Sequence, residues 1–189
     1  MRVILESSQI ASLVEQLAVW SSQRFDKKSV VLIGIMDGAI YLLADVSRRM
    51  TGIVSVCTIK ASSYGKGMNS GELRIDSAML PEVAGKSVLL LDEICESGRT
   101  LIGLAAMLRD RGCADIATAA LLCKPGKSAD GWRPDWVGFE CPDQFVVGYG
   151  LDWAGEFRTL PHIACLEPGD ECLGPRALAE RWLARNPGE

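Results

Sequence analysis

Two continuous apolar runs, VVLIGIM at 30–36 and SVLLLDEI at 87–94, constrain the fold more than any other feature of the chain. Each is too short for a helix and rich in β formers, so each is expected to be a strand covered on both faces. A sheet buried on both faces needs helices above and below it, and the sequence supplies them. GAIYLLADVSRRM follows the first run and GRTLIGLAAMLRDRG the second; each is a helical pattern entered through glycine and left through basic residues. A further amphipathic helix is expected over about residues 8–24, where SSQIASLVEQLAVWSSQRF opens with cap-type serines. ADIATAALLCK and QFVVGYG supply further strands, and ELRID a possible one. Strand and helix alternating in this way imply right-handed crossovers and an α/β fold with an open, mostly parallel sheet.

The 189 residues, 48% of them apolar, suffice for one well-packed domain and are short for two. No internal repeat, low-complexity tract or interdomain linker interrupts them. A single domain over 1–189 is therefore expected, with a core at about 28–168 and an extension at about 169–189. In that extension GDECLGPRALAERWLARNPGE reads as a turn and a helix beginning near Pro175. SSYGKGMNSGE, at 62–72, is glycine-rich and polar and reads as a long mobile loop.

Composition removes several function classes. The formal net charge is -4 and the basic residues are scattered, so the cationic stripe needed by duplex nucleic acid is missing. No apolar run approaches membrane-spanning length, and MRVILESSQIASL has neither a basic flank nor a small-residue cleavage site; a cytoplasmic protein is expected. Seven cysteines, several in apolar surroundings such as Cys57 in IVSVCTI and Cys123 in AALLCK, read as reduced core residues. There is no CxxC, and the sole histidine, His162, has no second one to join it in a zinc site; a structural or surface role in a loop is expected for it.

Open parallel sheets bind their ligands beyond the carboxyl ends of the strands, and LLLDEICESGRTL, at 89–101, lies there. Asp92 and Glu93, adjacent at a strand end, point to opposite faces of the pleat, so at least one can face a ligand. The turn that follows, made of Glu96, Ser97, Gly98, Arg99 and Thr100, offers consecutive backbone N–H groups, two hydroxyls and a guanidinium at the positive end of the next helix. That combination cradles a phosphate. Carboxylates beside it are poorly placed for phosphate oxygens and well placed for sugar hydroxyls or a divalent cation, so the whole reads as a ribose 5-phosphate site. Taken alone, the turn could also be a solvated loop capping a helix. Other nucleotide motifs fit worse: CKPGKS has Leu121 where a phosphate-binding loop needs its first glycine, and GYGLDWAG lacks the third glycine of a dinucleotide fingerprint.

VLLLDEICESGRTL resembles the phosphoribosyl pyrophosphate motif of type I phosphoribosyltransferases. KPGKSADGWRPDWVGFECPDQFVVGYGLDWAGEFRTLPHI is similar to the purine- and pyrophosphate-binding end of the hypoxanthine-guanine phosphoribosyltransferases, and VLIGIMDGAIYLLADVSRRM and IKASSYGKGMNSGELRI match the pyrophosphate loop and lid of the same family. The likeness runs in order from about Val30 to Pro168. It implies the type I phosphoribosyltransferase fold, with a mostly parallel central sheet flanked by helices, a small hood subdomain and a flexible lid loop. It also implies magnesium-dependent transfer of ribose 5-phosphate from phosphoribosyl pyrophosphate to N9 of a 6-oxopurine, in a homodimer or homotetramer.

Carried over residue by residue, the resemblance puts Asp92 and Glu93 at the ribose hydroxyls, in the reverse of the usual Glu-Asp order, and residues 96–100 at the 5-phosphate. Lys124 would donate to the purine 6-oxo group, which favours oxopurines over adenine; Phe145 would stack on the base and the Val146 backbone meet its edge. Asp152 would hold Mg2+, whose hard character suits oxygen ligands, and Arg158 would neutralise pyrophosphate. Asp37 and Gly38 fall in the pyrophosphate loop, where the family often has a cis non-proline peptide, and Ser63 and Tyr64 in the lid. At Glu96 the family usually has an aspartate, held to interact with purine N7 as its proton leaves. The alternative to a salvage enzyme acting on hypoxanthine, guanine or xanthine is a weakly catalytic or non-catalytic relative that senses the nucleotide.

Overall fold

The computed structural model describes residues 1–26, 28–63, 73–75, 80–128 and 131–185. In chain order its elements are β1 (Arg2–Leu5), α1 (Ser7–Arg24), β2 (Val30–Met36), α2 (Ile40–Ser47), β3 (Val54–Ser63), β4 (Leu73–Ile75), β5 (Ser87–Cys95), α3 (Arg99–Asp110), β6 (Asp115–Cys123), β7 (Trp136–Glu140), β8 (Val146–Val147), β9 (Ile163–Cys165) and α4 (Pro175–Arg185). Six strands form the main sheet in the order β4-β3-β2-β5-β6-β7. Its pairings are parallel from β3 through β7, and β4 joins the β3 edge antiparallel.

The two apolar runs are the central strands β2 and β5, paired in register with Leu32 opposite Leu89 and Ile33 opposite Leu90. The pleat sends alternate residues of each run to opposite faces, which explains why 30–36 and 88–91 show no polar position. Leu32, Leu89 and Leu91 enter one core with Ile10, Val14 and Leu17 of α1 and Leu42 and Val46 of α2. Val31, Ile33 and Leu90 enter the other with Leu101, Leu104 and Leu108 of α3. Each such side chain contributes about 1.5–3 kcal/mol as an upper bound.

A second sheet, β1-β9-β8, is antiparallel and joins residues from the two ends of the chain. It corresponds to the small subdomain expected beside the main sheet. QFVVGYG does not extend the main sheet as its apolar pattern suggested. Only Val146–Val147 is extended, in this small sheet. Beyond it, Gly148, Tyr149 and Gly150 all take left-handed φ values of 100°, 46° and 101°, which end a strand.

Cys57 is half-buried on the covered face of β3, packed with Ile59 against the second core, while the opposite face leaves Val56 50% exposed; Cys123 is buried, and all seven cysteines are free thiols. His162 is buried, its ring 5.6 Å from that of Trp182, so its role is structural.

The middle of β6 is fastened to the entry of β7 by one carboxylate. Asp135 Oδ2 accepts hydrogen bonds from the Thr118 backbone N–H at 2.7 Å and the Thr118 hydroxyl at 2.9 Å. Asp135→Ala would leave that N–H without its acceptor, and a loss of about 1–3 kcal/mol is expected in urea unfolding. An unchanged midpoint would show that water replaces the carboxylate.

Candidate functional site

β5 continues through Cys95, so Asp92 and Glu93 lie inside its last turn of pleat rather than ending it. Asp92 lines a cavity of about 210 Å³ with Ile94 and residues 95–101. This is the turn between β5 and α3 that is expected from the sequence to cradle a phosphate. Gly98 caps α3 with a φ of 75°, and its carbonyl accepts from the Ile102 N–H at 2.9 Å. Trp132, from the β6–β7 connection, lies over Gly98 so closely that a Cβ there would overlap its ring. Glycine is required at 98 for both its backbone and its contact.

Glu93 faces elsewhere. A Cβ on Gly38 would overlap the Glu93 carboxylate, so the second acid rests against the 37–38 loop. The peptide bond entering that loop, Met36–Asp37, is cis. Gly150 approaches the same loop from the other side, where a Cβ would overlap the carbonyl oxygen of Gly38. The two acids thus divide the site: Asp92 belongs to the phosphate-turn side and Glu93 to the loop that carries Asp37 and Gly38. Burial pushes the Asp92 carboxyl well above the usual aspartate range, and the neighbouring Glu93 charge pushes it further. Burial also raises Glu93, opposed by its hydrogen bond with Asp92 and by the charge of Arg158.

Arg158 and Asp152 form an interlocked pair. Arg158 Nη2 lies 2.8 Å from Asp152 Oδ1, and its Nη1 donates to the Gly150 carbonyl at 2.5 Å. Asp152 Oδ2 accepts from the Gly155 N–H at 2.7 Å. Both side chains remain about 30% exposed, so the pair keeps an open edge. Asp37 is ion-paired at 3.8 Å with Lys60 on β3, a residue that no sequence motif singled out.

Lys124 follows β6 and is buried, with its ammonium paired to the Glu96 carboxylate. Its backbone N–H donates to the Cys95 carbonyl at 3.0 Å, extending the β5–β6 ladder by one rung. Phe145 immediately precedes β8 and is 51% exposed, and Val146 behind it is buried. The Trp153 ring flanks Phe145 at 6.2 Å and 59°. Trp132 and Trp153 are the site neighbours that sequence reasoning missed; each lies in a segment whose motif was read for its charged residues. Ser63 ends β3, with its backbone alone described, and Tyr64 lies outside the described residues.

Among the described residues no group of three or more histidines, cysteines or acids could hold a metal ion. Asp152 nonetheless suits magnesium, which binds through one or two carboxylates and completes its shell with water and substrate phosphates. Among them, too, no helix is long and apolar enough to cross a membrane.

The raised Asp92 carboxyl has a consequence for stability. An acid whose native pKa lies above its unfolded value binds more protons in the folded state, so its contribution is present at low pH and lost as pH rises through the native value. Asp92→Asn is therefore expected to flatten the loss of stability that accompanies ionisation over the pH range above the ordinary aspartate value, and to gain on the native protein at its upper end. Thermal unfolding of both proteins across that range checks this, and parallel curves would contradict it.

The phosphoribosyl transferase domain family matches residues 3–153. The hypoxanthine-guanine phosphoribosyltransferase of Bacillus subtilis is 35% identical over 169 residues, covering 88% of this chain and 93% of that one. That of Aquifex aeolicus is 35% identical over 170 residues, covering 88% and 95%. The crystal structure of a hypoxanthine phosphoribosyltransferase from Staphylococcus aureus superposes with a TM-score of 0.83 at 31% identity, over 89% of this chain and 92% of that one. With a domain match across most of its length and relatives this similar over nearly theirs, the chain belongs to the hypoxanthine-guanine phosphoribosyltransferases of the phosphoribosyl transferase family.

Proposed function

We propose that the chain transfers ribose 5-phosphate from phosphoribosyl pyrophosphate to N9 of hypoxanthine or guanine, giving the nucleoside 5′-monophosphate and pyrophosphate. The observation that carries this reading is the contact between the Lys124 ammonium and the Glu96 carboxylate. In a 6-oxopurine, O6 and N7 are adjacent on one edge of the base. A donor and an acceptor side by side match that edge: Lys124 donates to O6, and Glu96 accepts the hydrogen on N7. Adenine would set its amino group against the ammonium and is disfavoured.

In this reading residues 96–100 hold the 5-phosphate through backbone N–H groups and hydroxyls, and Asp92 and Glu93 take the ribose hydroxyls. Phe145 supplies the stacking face and the Val146 backbone the base edge. Asp152 holds Mg2+ on the pyrophosphate side, where the ion supplies neutralisation of the phosphate oxygens when bound. Arg158 and the loop at Asp37 and Gly38 receive the pyrophosphate. N9 attacks the anomeric carbon as its bond to pyrophosphate breaks, and Glu96 takes the proton that leaves N7. Ser63 and Tyr64 belong to a lid that excludes water while positive charge builds on the sugar. The same reading takes 1–189 as one phosphoribosyltransferase domain, with its helical extension at about 169–189, working in the cytoplasm as a homodimer or homotetramer.

A second reading, a nucleotide sensor with little or no turnover, draws on Glu96 itself. One methylene longer than the family's aspartate, it reaches Lys124 and occupies the donor that the base needs. Pyrophosphate release measured with hypoxanthine, guanine, xanthine and adenine in turn separates the two. Release with the oxopurines and not with adenine is expected; none with any base would leave the sensor.

Lys124→Ala is expected to lower kcat/KM for hypoxanthine by roughly 10- to 100-fold, the worth of a charged hydrogen bond, while phosphoribosyl pyrophosphate binding in calorimetry stays nearly intact. Equal loss of both ligands would count against the assignment. Glu96→Gln should reduce turnover by about 10²- to 10⁴-fold, and Glu96→Asp should retain or raise it. Undiminished turnover in Glu96→Gln, in initial-rate measurements at saturating donor, would remove the proton-accepting role.

A further inference from the structure

The segment that carries Asp152 and Arg158 has an unusual backbone. Between residues 148 and 157, six positions have left-handed φ, and three of them are not glycine: Tyr149 at 46°, Ala154 at 51° and Phe157 at 75°. Non-glycine residues hold such angles only where the surroundings over-determine them. The segment's own hydrogen bonds, Tyr149 N–H to the Leu160 carbonyl and Gly150 N–H to the Arg158 carbonyl, both 2.9 Å, close it on itself. They leave its apolar side to be packed by something else.

That packing comes from the far end of the chain. Val147, Phe157, Leu160 and Ala164 form a separate small core with Leu178 of α4, and Trp153, Ala179 and Trp182 pack against it. Leu178 is 3% exposed, and the Trp182 ring lies 5.6 Å from the buried ring of His162. Phe157 and Trp153, the immediate neighbours of Arg158 and Asp152, thus share one cluster with α4, which lies beyond the residues matched to the family.

We propose that α4 is a brace for the catalytic segment: Leu178 and Trp182 are positioning residues that hold the strained 148–158 backbone so that Asp152 and Arg158 face the pyrophosphate. The functional half of this inference rests on the reading of those two residues given above. Loss of the brace lets the segment relax, and the effect falls on the pyrophosphate side of the site. The phosphate turn at 96–100 and Lys124 are carried by β5 and β6 and stay in place.

The test uses the full chain with Trp182→Ala, Trp182→Phe and, as a control on the exposed face of the same helix, Leu183→Ala; Leu183 is 48% exposed. Trp182→Ala is expected to raise KM for phosphoribosyl pyrophosphate about 5- to 30-fold, a change a modest packing loss produces, while hypoxanthine KM moves by less than about two-fold. Calorimetry with pyrophosphate and magnesium should show the same weakening, Trp182→Phe should restore most of it, and Leu183→Ala should change nothing. Amide exchange should accelerate in residues 148–160 and not in β5 or β6. If Trp182→Ala does not fold, Trp182→Leu keeps apolar volume without the ring contact and serves the same comparison. Equal rises in both KM values, unchanged pyrophosphate affinity, or exchange that accelerates everywhere or nowhere would overturn the brace. Absence of transfer in the native protein would overturn the transferase reading instead, and the brace would then stand or fall on amide exchange and pyrophosphate calorimetry.

Discussion

The site depends on the parallel register of β5 against β6. That ladder sets Cys95 opposite Cys123, so the next residue of each strand, Glu96 and Lys124, emerge side by side. The Lys124 N–H bond to the Cys95 carbonyl holds them there. A slip of one residue would turn every side chain of one strand to the other face and part the two charges. Below the site Leu89, Leu90, Leu91, Leu121 and Leu122 are fully buried, so a slip would have to repack both faces of the ladder. That close-packed core supports the alignment of the polar pair.

Around that pair the chain departs from the rules that hold elsewhere in it. Two adjacent, half-buried carboxylates have raised affinity for protons, and a lysine is buried with a carboxylate partner. Three non-glycine residues take left-handed angles near Asp152 and Arg158. Each feature costs stability, and together they sit at the carboxyl ends of the strands. Such departures concentrate where function requires groups that a purely stable fold would exclude. The surrounding support differs by side: β5 and β6 carry the phosphate turn and Lys124, whereas the segment at 148–158 rests on a small core of its own.

The main sheet was legible because β2 and the 88–91 stretch of β5 are apolar and buried on both faces, a pattern that does not depend on distant partners. The helices α1 and α3 were legible from their spacing, and α3 also from its entry glycine, whereas α1 is capped by Glu6 with Gln9 and not by its serines. The small sheet was not, since β1 pairs with a strand some 160 residues away, Arg2 opposite Cys165, and its strands are two to four residues long. β3 alternates with exposed polar positions and merges with the glycine-rich stretch after it. The phosphate turn could be read from its own chemistry, but Lys124 and Phe145 could not: a lone lysine and a strand phenylalanine carry no local signal, and only resemblance singled them out. That Asp92 and Glu93 face different parts of the site became visible only from the packing of Gly38 against one of them.

The central claim is that Glu96 and Lys124 act together on one edge of one base. A double-mutant cycle tests it most directly, with kcat/KM for hypoxanthine measured in the native protein, Glu96→Gln, Lys124→Ala and the double variant. Residues that serve a single ligand edge and contact each other are coupled, so the double variant should lose far less than the product of the two single losses. Losses that multiply without coupling would mean that the two residues act independently, and would contradict the account.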